Sequence, residues 1–549
     1  MALTVADLLV QRLHQHGVRH IFGYPGGQLT PLYDALYRQS DIRHILARDE
    51  QAAAFMADGY ARATGKVGVC LAVCGPGVYN AATALATSFT DSIPVLLISG
   101  QTPSGGQGIR SGYYHENDQR AACATLTKGS FRVVYRQSLL RELDQALALV
   151  RNGRPGPVLF EAPLDVLRAE GEVAGVLPLP PHFWSNPTPE HFRAPTMEQQ
   201  KEIVSRLDSN FEQLAGWLAG LQRPLLLAGG GVISARAEGR LLQLAERLGA
   251  PVVHTLMGKC AIPADHPLAA GLVWHRATSD VSDMEDCFSP LFAQCDGVLA
   301  VGCRFSQAST GSWQLPLPKL AQIDIDRTEL GRHYPIQAGV IADAGEALEN
   351  LVGMLPREQR RPWAGPQAKR EPWRLPGLDL IGPMRNILPR DAIVVADITR
   401  LGYILMAEFP AYAPRSVLHP AGFVPMGYGI PAALGAKAAY PDRVVVAVEG
   451  DGCFQMCGME LATAVQEKLP IVVVLINDNC LSLIKSTQER RYDRRFIGVD
   501  LVNPDFQQFA RAFGVRAWRV ASDAAFDSAL REAIARKEPA LIEVRVENR

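Results

Sequence analysis

The chain has 549 residues, 48% of them hydrophobic and 20% charged, with a formal net charge of −1. This length is too great for a single hydrophobic core and predicts roughly three or four domains. The balanced charge argues against a nucleic-acid-binding protein or one that adheres to an anionic membrane. The ten cysteines include no CxxC pair, which argues against a disulfide framework or a zinc site and favours a reducing cytoplasm.

The first residues, Met1–Gly17, predict an amphipathic helix with Val5, Leu8, Leu9 and Leu13 on one face. They contain neither the basic start nor the continuous apolar stretch of a signal peptide. No apolar run in the chain approaches the length of a transmembrane helix. We therefore expect a cytoplasmic protein with no membrane partner.

Two glycine-rich turns follow short apolar strands in the first block. The segment Phe22–Gly27 (FGYPGG) contains Gly26 and Gly27 and is interpreted, taken alone, as a tight turn between a strand and a helix. Gly75-Pro76-Gly77 lies between a predicted strand, Val67–Val73, and a predicted helix, Asn80–Ser88. That second turn either binds a ligand or allows close packing, and the residues alone do not decide between the two.

Two polar residues of the first block are candidates for chemistry. Glu50 begins a helical stretch, where the simplest explanation of an isolated carboxylate is stabilisation by the helix dipole. His115 lies in a polar and aromatic loop, SGYYHEND. The neighbouring Glu116 and Asp118 would raise the pKa of His115 and make it a usable proton donor near neutrality. An ordinary surface or core histidine is an equally good explanation.

Two proline-rich stretches, Leu177–Thr196 and Pro356–Gly377, predict extended linkers between domains. They leave three blocks, 1–176, 197–355 and 378–549. In each block short apolar strands alternate with helical periods, which predicts an α/β fold of three doubly wound, mostly parallel sheets.

The middle block carries a glycine cluster after a strand, LLAGGGV at Leu226–Val232. Such a cluster could hold a dinucleotide, but its spacing is not GxGxxG. A Rossmann-like domain with no ligand explains the segment equally well.

The third block holds the most informative segment, Glu449–Phe454 (EGDGCF), after the apolar run Val444–Val448. A second apolar run, Ile471–Ile476, leads into Asn-Asp-Asn-Cys, so Asp451 and Asp478 would meet at the carboxyl ends of two parallel strands. Carboxylate oxygens there suit Mg²⁺ or Ca²⁺. Glycines on both sides of Asp451 let the backbone approach a phosphate, and the following helix favours an anion at its start. The segment predicts a metal that holds a diphosphate.

Taken together, these motifs resemble the thiamine-diphosphate-dependent enzymes of the acetolactate synthase-like branch. The resemblance rests on ARDEQAAAFMADGYARATGK, GPGVYNAATALATSFTDSIPVLLISG and EGDGCF with INDN, in that order over nearly the whole chain. It implies that the three blocks are pyrimidine-binding, central and diphosphate-binding domains. It also implies a homodimer or a homotetramer, because relatives build the cofactor site from two subunits.

The resemblance assigns roles to individual residues. Glu50 would hydrogen-bond the aminopyrimidine ring of the cofactor and promote loss of its reactive proton, and His115 would relay protons. Asp451, Asp478 and the Cys480 carbonyl would hold Mg²⁺. The other residues implied to contact the cofactor or line its pocket are Gly26, Gly27, Gly75, Pro76, Asn80, Thr399, Val424, Met426, Gly450, Gly452, Cys453, Leu483 and Ile484.

The chain also departs from the family pattern. Asp478 stands where an asparagine is usual, and His115 stands where acetolactate synthases carry glutamine. The phrase HENDQR is most similar to the 2-ketoarginine decarboxylases, yet Ile484 replaces the glutamate of pyruvate decarboxylases. Gly271–His275 departs from the flavin pattern of the family, which argues against a bound FAD.

The sequence therefore favours a decarboxylase that acts non-oxidatively on a 2-oxo acid with thiamine diphosphate and Mg²⁺. The alternative is a carboligase of acetolactate synthase type, and the third possibility is a flavin-dependent oxidoreductase of pyruvate oxidase type. The native 2-oxo acid is not decided by the sequence.

Overall fold

A computed structural model describes the chain over residues 3–106, 111–170, 211–273, 290–364 and 378–546. The linker predicted at Leu177–Thr196 lies outside the described residues, as does most of the one at Pro356–Gly377. Within the described part, no helix is both long enough and apolar enough to cross a membrane.

Three six-stranded sheets form the frame, and their paired strands are parallel. The predicted α/β fold with three parallel sheets is confirmed. The strands of the first sheet are β1 His20–Gly23, β2 Arg43–Leu46, β3 Gly68–Ala72, β4 Val95–Gln101, β5 Gly129–Arg132 and β6 Val158–Pro163. Those of the central sheet are β7 Pro224–Ala228, β8 Val252–His254, β9 Ala269–Leu272, β10 Gly297–Val301, β11 Leu320–Asp324 and β12 Ala338–Ile341. Those of the third sheet are β13 Ile393–Ala396, β14 Val417–Leu418, β15 Val445–Gly450, β16 Val472–Asn477, β17 Arg516–Val520 and β18 Ala540–Arg545.

The first and third sheets share one connectivity. Their strand orders are β2-β1-β3-β4-β6-β5 and β14-β13-β15-β16-β18-β17, whereas the central sheet runs β12-β11-β10-β7-β8-β9. The central order is the dinucleotide-binding arrangement, which reverses direction between β7 and β10.

Helices cover both faces of these sheets. Around the first sheet they are Val5–Gln15, Thr30–Arg38, Glu50–Thr64, Pro76–Asp91, Gln119–Cys123, Leu139–Arg151 and Leu164–Arg168. Around the central sheet they are Phe211–Gly220, Gly230–Ser234, Glu238–Leu248, Leu291–Gln294, Gln307–Thr310 and Ala344–Met354. Around the third sheet they are Ile381–Ile387, Arg400–Glu408, Gly429–Ala439, Asp451–Cys457, Leu461–Gln466, Ser482–Arg491, Phe506–Ala512 and Asp523–Arg536.

The N-terminal helix is Val5–Gln15, capped by Thr4. Of the predicted apolar face, Val5, Leu9 and Leu13 are buried and Leu8 is half-buried. The helix predicted at Asn80–Ser88 is longer and spans Pro76–Asp91. It is longer at its start because proline is favoured in the first turn of a helix.

The first and third sheets meet through two glycine-containing helices. A Cβ built on Gly59, in the helix Glu50–Thr64, would lie 2.2 Å from the Ala432 carbonyl oxygen. A Cβ built on Gly435, in the helix Gly429–Ala439, would lie 1.9 Å from the Met56 carbonyl oxygen. Backbone therefore contacts backbone across this junction. The junction fixes the position of the first helix, which begins at Glu50.

Candidate functional site

Glu50 is the first residue of its helix and only 8% exposed. The preceding residue, Asp49, caps the helix through the backbone N–H of Gln51. The Glu50 Oε2 atom accepts a hydrogen bond from Asn80 Nδ2 at 3.0 Å. A Cβ on Gly77 would lie 2.7 Å from Glu50 Oε1 and 2.8 Å from Val73 Cγ1, so a larger residue there would displace the Glu50 carboxylate. The Glu50 carboxylate therefore lies between the Asn80 amide, which donates to Oε2, and the backbone of Gly77, which lies beside Oε1.

The turn at Gly75 adopts a conformation that favours glycine, with a φ of 72°. Its N–H donates to Gln119 Oε1 at 2.7 Å, and a Cβ there would lie 3.2 Å from the His115 carbonyl oxygen. Pro76 then begins the helix that carries Asn80. The structure thus brings Gly75, Pro76, Asn80, His115 and Glu50 together at one edge of the first sheet.

The two glycines of the first turn, Gly26 and Gly27, differ in how closely other residues pack against them. A Cβ on Gly26 would lie 2.5 Å from the Val73 side chain, whose Cγ1 also lies 2.8 Å from a Cβ built on Gly77. Nothing lies within 4 Å of a Cβ built on Gly27. Gly26 therefore packs beside the Glu50 group, while no contact of this kind requires a glycine at position 27.

His115 has a left-handed backbone, with a φ of 65°, and its ring stacks on Tyr114 at 3.8 Å between centroids. Its Nδ1 atom is buried and has no hydrogen-bond partner among the described residues. The two carboxylates that were expected to act on His115, Glu116 and Asp118, have partners of their own. Asp118 pairs with Arg132 at 3.1 Å, and Glu116 accepts from the Ser111 hydroxyl and the Tyr113 N–H.

Asp451 begins the helix Asp451–Cys457 directly after β15. Its Oδ1 accepts from the Gly452 N–H at 2.8 Å. Burial raises the pKa of Asp451, and the negative charge of Asp478 adds to this effect. The buried carboxylate of Asp451 and the half-buried one of Asp478 are suited to a shared cation.

Asn503 belongs to this group and carries no signal in the sequence. Its Nδ2 atom lies 2.7 Å from Asp451 Oδ2, 2.9 Å from Asn477 Oδ1 and 3.2 Å from Asn479 Oδ1. The Asn503 amide thus lies within hydrogen-bond distance of three oxygen atoms, one after β15 and two at or after the end of β16. It lies 52 residues after Asp451 in the chain, too far for any spacing rule.

The diphosphate candidates gather around Gly450 and Gly452. A Cβ on Gly450 would lie 2.9 Å from Thr399 Cγ2. A Cβ on Gly452 would lie 3.1 Å from Met426 Cε and 2.7 Å from a Leu481 methyl group. The structure therefore places Met426 directly over the GDG turn. Leu481 is an addition that the sequence interpretation missed.

Thr399 and Cys453 are held by backbone contacts. Thr399 Oγ1 accepts from the Gly402 N–H at 2.8 Å and caps the next helix, and Cys453 Sγ donates to the Ile398 carbonyl at 3.3 Å. Cys480 is buried, and its N–H donates to Asp478 Oδ1 at 3.3 Å.

The expected apolar pocket residues are partly open in the single chain. Val424 is 42% exposed and Ile484 is 45% exposed. Leu483 and Ile484 lie in the helix Ser482–Arg491, none of whose residues is buried.

A carboxyl pair that the sequence did not predict lies beneath the GDG turn. Glu449 and Asp397 are completely buried, and with Cys457 they place one side-chain ligand atom each within 4.8 Å of one another. Burial, together with the Asp397 charge, raises the pKa of Glu449 well above its usual value. Asp397 accepts from the Gly429 N–H at 2.8 Å. Asp397 therefore joins the end of β13 to the Gly429 turn, while neither carboxyl oxygen of Glu449 has a hydrogen-bond partner among the described residues.

Family models match all three domains of the chain, and these matches decide the family. The family model of the thiamine pyrophosphate enzyme N-terminal TPP binding domain matches residues 3–122, the central domain matches 211–351, and the C-terminal TPP binding domain matches 397–544. The chain belongs to the thiamine pyrophosphate enzyme family. The recognition made from the motifs is confirmed.

Individual relatives of this thiamine pyrophosphate enzyme cover almost the whole chain. A probable acetolactate synthase large subunit of Methanocaldococcus jannaschii is 34% identical over 98% of this chain and 91% of its own. A probable 2-ketoarginine decarboxylase of Pseudomonas aeruginosa is 37% identical over 93% of this chain and 88% of its own. A solved structure described as a thiamin diphosphate-dependent enzyme from Mycobacterium smegmatis has a TM-score of 0.80 at 24% identity, with 100% of both chains covered. That last likeness concerns the fold.

The residues of this family member fit the cofactor of the family. The cradle of Gly450 and Gly452 suits a diphosphate, and the oxygen donors of Asp451, Asp478 and the Cys480 carbonyl suit a hard cation. The buried Glu50 carboxylate, with Oε1 beside a bare glycine, suits a ring nitrogen.

A cavity of about 400 Å³ lies at the carboxyl ends of the central strands, where the central domain faces residues of the first domain such as Asp91 and Arg154. Arg154, Arg304 and Asp324 line it, together with Gly230 and Gly231. Burial raises the pKa of Asp324 to about 6, while burial and the charge of Arg154 lower the pKa of Arg304. Cationic groups and a carboxyl at strand ends fit the phosphates and ribose of a nucleotide. Trp274 and His275, in the segment that departs from the flavin pattern, lie outside the described residues.

Proposed function

We propose that this enzyme decarboxylates a 2-oxo acid with thiamine diphosphate and Mg²⁺ and transfers the remaining acyl unit to a second 2-oxo acid, as the names of its acetolactate synthase relatives suggest. The names of the relatives support this carboligation better than the simple decarboxylation favoured from the sequence. The observation that carries the shared first step is the Glu50 carboxylate, which is buried, bonded to Asn80 and bordered by the Gly77 backbone.

The cofactor, when bound, supplies a carbon nucleophile and an electron sink for the loss of carbon dioxide. Glu50 would hold or release a proton at Oε1, the oxygen that faces the glycine turn. Its other oxygen stays bonded to Asn80, which keeps the side chain in one orientation. The low exposure of Glu50 excludes competing water from this proton transfer.

Asp451, Asp478 and the Cys480 carbonyl would hold Mg²⁺. Asn503 would fix the orientation of Asp451 through its 2.7 Å hydrogen bond. Because Asp478 carries a charge that asparagine lacks, the two side-chain ligands would neutralise the charge of the ion.

A second candidate function is non-oxidative decarboxylation with release of an aldehyde. His115 favours it, since its backbone carbonyl lies 3.2 Å from the position of a Cβ built on Gly75, at the same edge as Glu50. The imidazole there would supply the proton that releases an aldehyde. The 37% identical relative named as a 2-ketoarginine decarboxylase also supports this candidate.

Product analysis separates the two candidates. Pyruvate and longer or basic 2-oxo acids are incubated with the purified enzyme, thiamine diphosphate and Mg²⁺, and carbon dioxide and products are quantified together. We expect one molecule of acetolactate-type product for each molecule of carbon dioxide released. Free aldehyde as the main product would reject carboligation and establish the decarboxylase, and absence of carbon dioxide release from every 2-oxo acid would reject both.

We further propose that the active form is at least a homodimer. In the single chain a group of apolar side chains near the GDG turn is exposed, by 46% for Phe423, 58% for Met456 and 56% for Met459. Apolar groups of this kind are typical of surfaces that another subunit covers. Analytical ultracentrifugation over a range of protein concentrations, with and without cofactor, tests this proposal, and a monomer in both conditions would reject it.

A further inference from the structure

Asp91 is the last residue of the helix Pro76–Asp91 and is 5% exposed. It belongs to the first domain, where it lies within the segment GPGVYNAATALATSFTDSIPVLLISG with no role assigned to it from the sequence. Its Oδ2 accepts from the Ala421 N–H at 2.9 Å, and its Oδ1 accepts from the Gly422 N–H at 2.8 Å. Two consecutive backbone donors of the third domain therefore bind one carboxylate of the first.

The bound segment leads directly to residues assigned to the cofactor. Two residues after Gly422 comes Val424, and two residues further comes Met426, whose Cε lies 3.1 Å from a Cβ built on Gly452. Val424 is 42% exposed, so packing within the single chain restrains it little. Asp91 binds the start of the segment, and beyond Met426 the buried Tyr428 hydroxyl donates to Asp58 Oδ1 at 3.0 Å, so the segment is held at both ends.

Asp91 is itself held by a buried guanidinium. Arg62 Nη2 lies 2.9 Å from Asp91 Oδ2, and Arg62 Nη1 donates to the His419 carbonyl at 2.8 Å. Arg62 also pairs with Asp58 at 2.5 Å. Arg62 and Asp91 thus bind donors and acceptors of the same four-residue stretch, His419–Gly422.

The approach of the two domains is close at this point. A Cβ on Gly422 would lie 2.2 Å from Thr90 Cγ2 and 3.1 Å from Asp91 Oδ1. The segment therefore sits against the end of the helix with no room for a side chain at position 422.

We propose that Asp91 is a positioning residue that sets the cofactor-contacting segment Val424–Met426 by binding the backbone at Ala421 and Gly422. This inference rests on the proposed cofactor site. It assigns to Asp91 no contact with substrate or cofactor.

The test compares Asp91→Asn with Asp58→Asn. In Asp91→Asn one carboxylate oxygen is replaced by an NH2 group. In either orientation this donor faces the N–H of Ala421 or Gly422, and a backbone N–H cannot accept a hydrogen bond. In Asp58→Asn the new donor can face Ser88 Oγ, now 2.8 Å from Asp58 Oδ2, and a hydroxyl can accept as well as donate. The Tyr428 hydroxyl donates to Asp58 Oδ1 at 3.0 Å, and the amide oxygen of Asp58→Asn can still accept this bond. Both variants remove one buried negative charge beside Arg62, so Asp58→Asn is a matched control.

The measurements are the dissociation constant for thiamine diphosphate at saturating Mg²⁺, by equilibrium titration of intrinsic fluorescence, and the melting temperature of each protein without cofactor. We expect the dissociation constant of Asp91→Asn to rise about tenfold, the loss of one hydrogen bond to a charged group. That of Asp58→Asn should stay within about twofold, although both melting temperatures fall. Near-ultraviolet circular dichroism of the bound cofactor should change only for Asp91→Asn.

Wild-type affinity retained in Asp91→Asn would overturn the proposal. Equal weakening in both variants would overturn it as well, because it would reflect a general loosening of the buried network. If Asp91→Asn does not fold, Gly422→Ala displaces the same segment without changing a charge, and unchanged cofactor affinity in that variant would also reject the proposal. Cofactor binding by the wild type without any product would count against the proposed function alone.

Discussion

Replacing Glu50 with glutamine is the most direct test of how this enzyme activates its cofactor. A glutamine side chain at this position would have nearly the same size and shape, and its amide oxygen could still accept the hydrogen bond that Asn80 Nδ2 donates at 3.0 Å. The variant loses the ability to exchange a proton at the atom that faces Gly77. The change is therefore confined to proton transfer.

The expected size of the effect follows from these contacts. Loss of a positioned acid–base group lowers the rate by about 10²- to 10⁴-fold, equivalent to about 3–5 kcal/mol in the activation free energy. The lost charge at the helix start changes the free energy of unfolding by only about 0.3–1 kcal/mol. Activity should therefore fall far more than stability.

The assay measures carbon dioxide release at saturating thiamine diphosphate and Mg²⁺, together with the melting temperature and the cofactor dissociation constant. Asn80→Ala serves as a companion variant, since it removes the orienting donor and leaves the carboxylate. We expect it to lie between wild type and Glu50→Gln in rate. If Glu50→Gln retained more than a tenth of the wild-type rate, the assignment of proton transfer to this carboxylate would be wrong.

Four further outcomes can be checked. Gly59→Ala should destabilise the protein by about 1–3 kcal/mol, because its Cβ would lie 2.2 Å from the Ala432 oxygen; Gly239→Ala, with nothing within 4 Å, is the control in thermal unfolding and should be neutral or stabilising. Burial raises the pKa of Glu460 from 4.5 to about 7, so its contribution is fully present below pH 4.5 and is lost as the pH rises towards 7; Glu460→Gln should flatten that part of the curve of unfolding free energy against pH, and an unchanged slope would contradict the assignment. Asp478→Asn should raise the Mg²⁺ concentration needed for half-maximal activity severalfold, because one ligand charge is lost; an equal or lower requirement would contradict a role of that charge. Turnover should proceed with thiamine diphosphate and Mg²⁺ alone, and an absolute requirement for added FAD, with a flavin absorbance spectrum, would refute this.

The sequence predicted the sheets well because strands buried on both faces are continuous apolar runs, such as those that became β15 and β16. It also placed Glu50 and Asp451 at element starts, where their neighbours in the chain determine their surroundings. These features are local, so their signals lie within short windows.

The features that the sequence missed depend on contacts between distant segments. Asn503 reaches Asp451 across 52 residues, and Asp91 reaches Ala421 across 330 residues. Glu449 was visible in the EGDGCF motif, but its pairing with Asp397 depends on the neighbouring order of β13 and β15. A single sequence contains no local pattern that specifies such pairs. The domain boundaries and the roles of individual site residues remain predictions.

The helix Pro76–Asp91 also fixes the distance between two contacts that its side chains make. Asn80 near its start bonds Glu50, and Asp91 at its end binds the segment before Val424, with about 16 Å of helix axis between the two residues. A single inserted residue would rotate Asp91 by about 100° and advance it by about 1.5 Å. The start of the helix would remain in place while its end lost both backbone donors. Insertions and deletions are therefore expected to be excluded from this helix even where individual substitutions are tolerated.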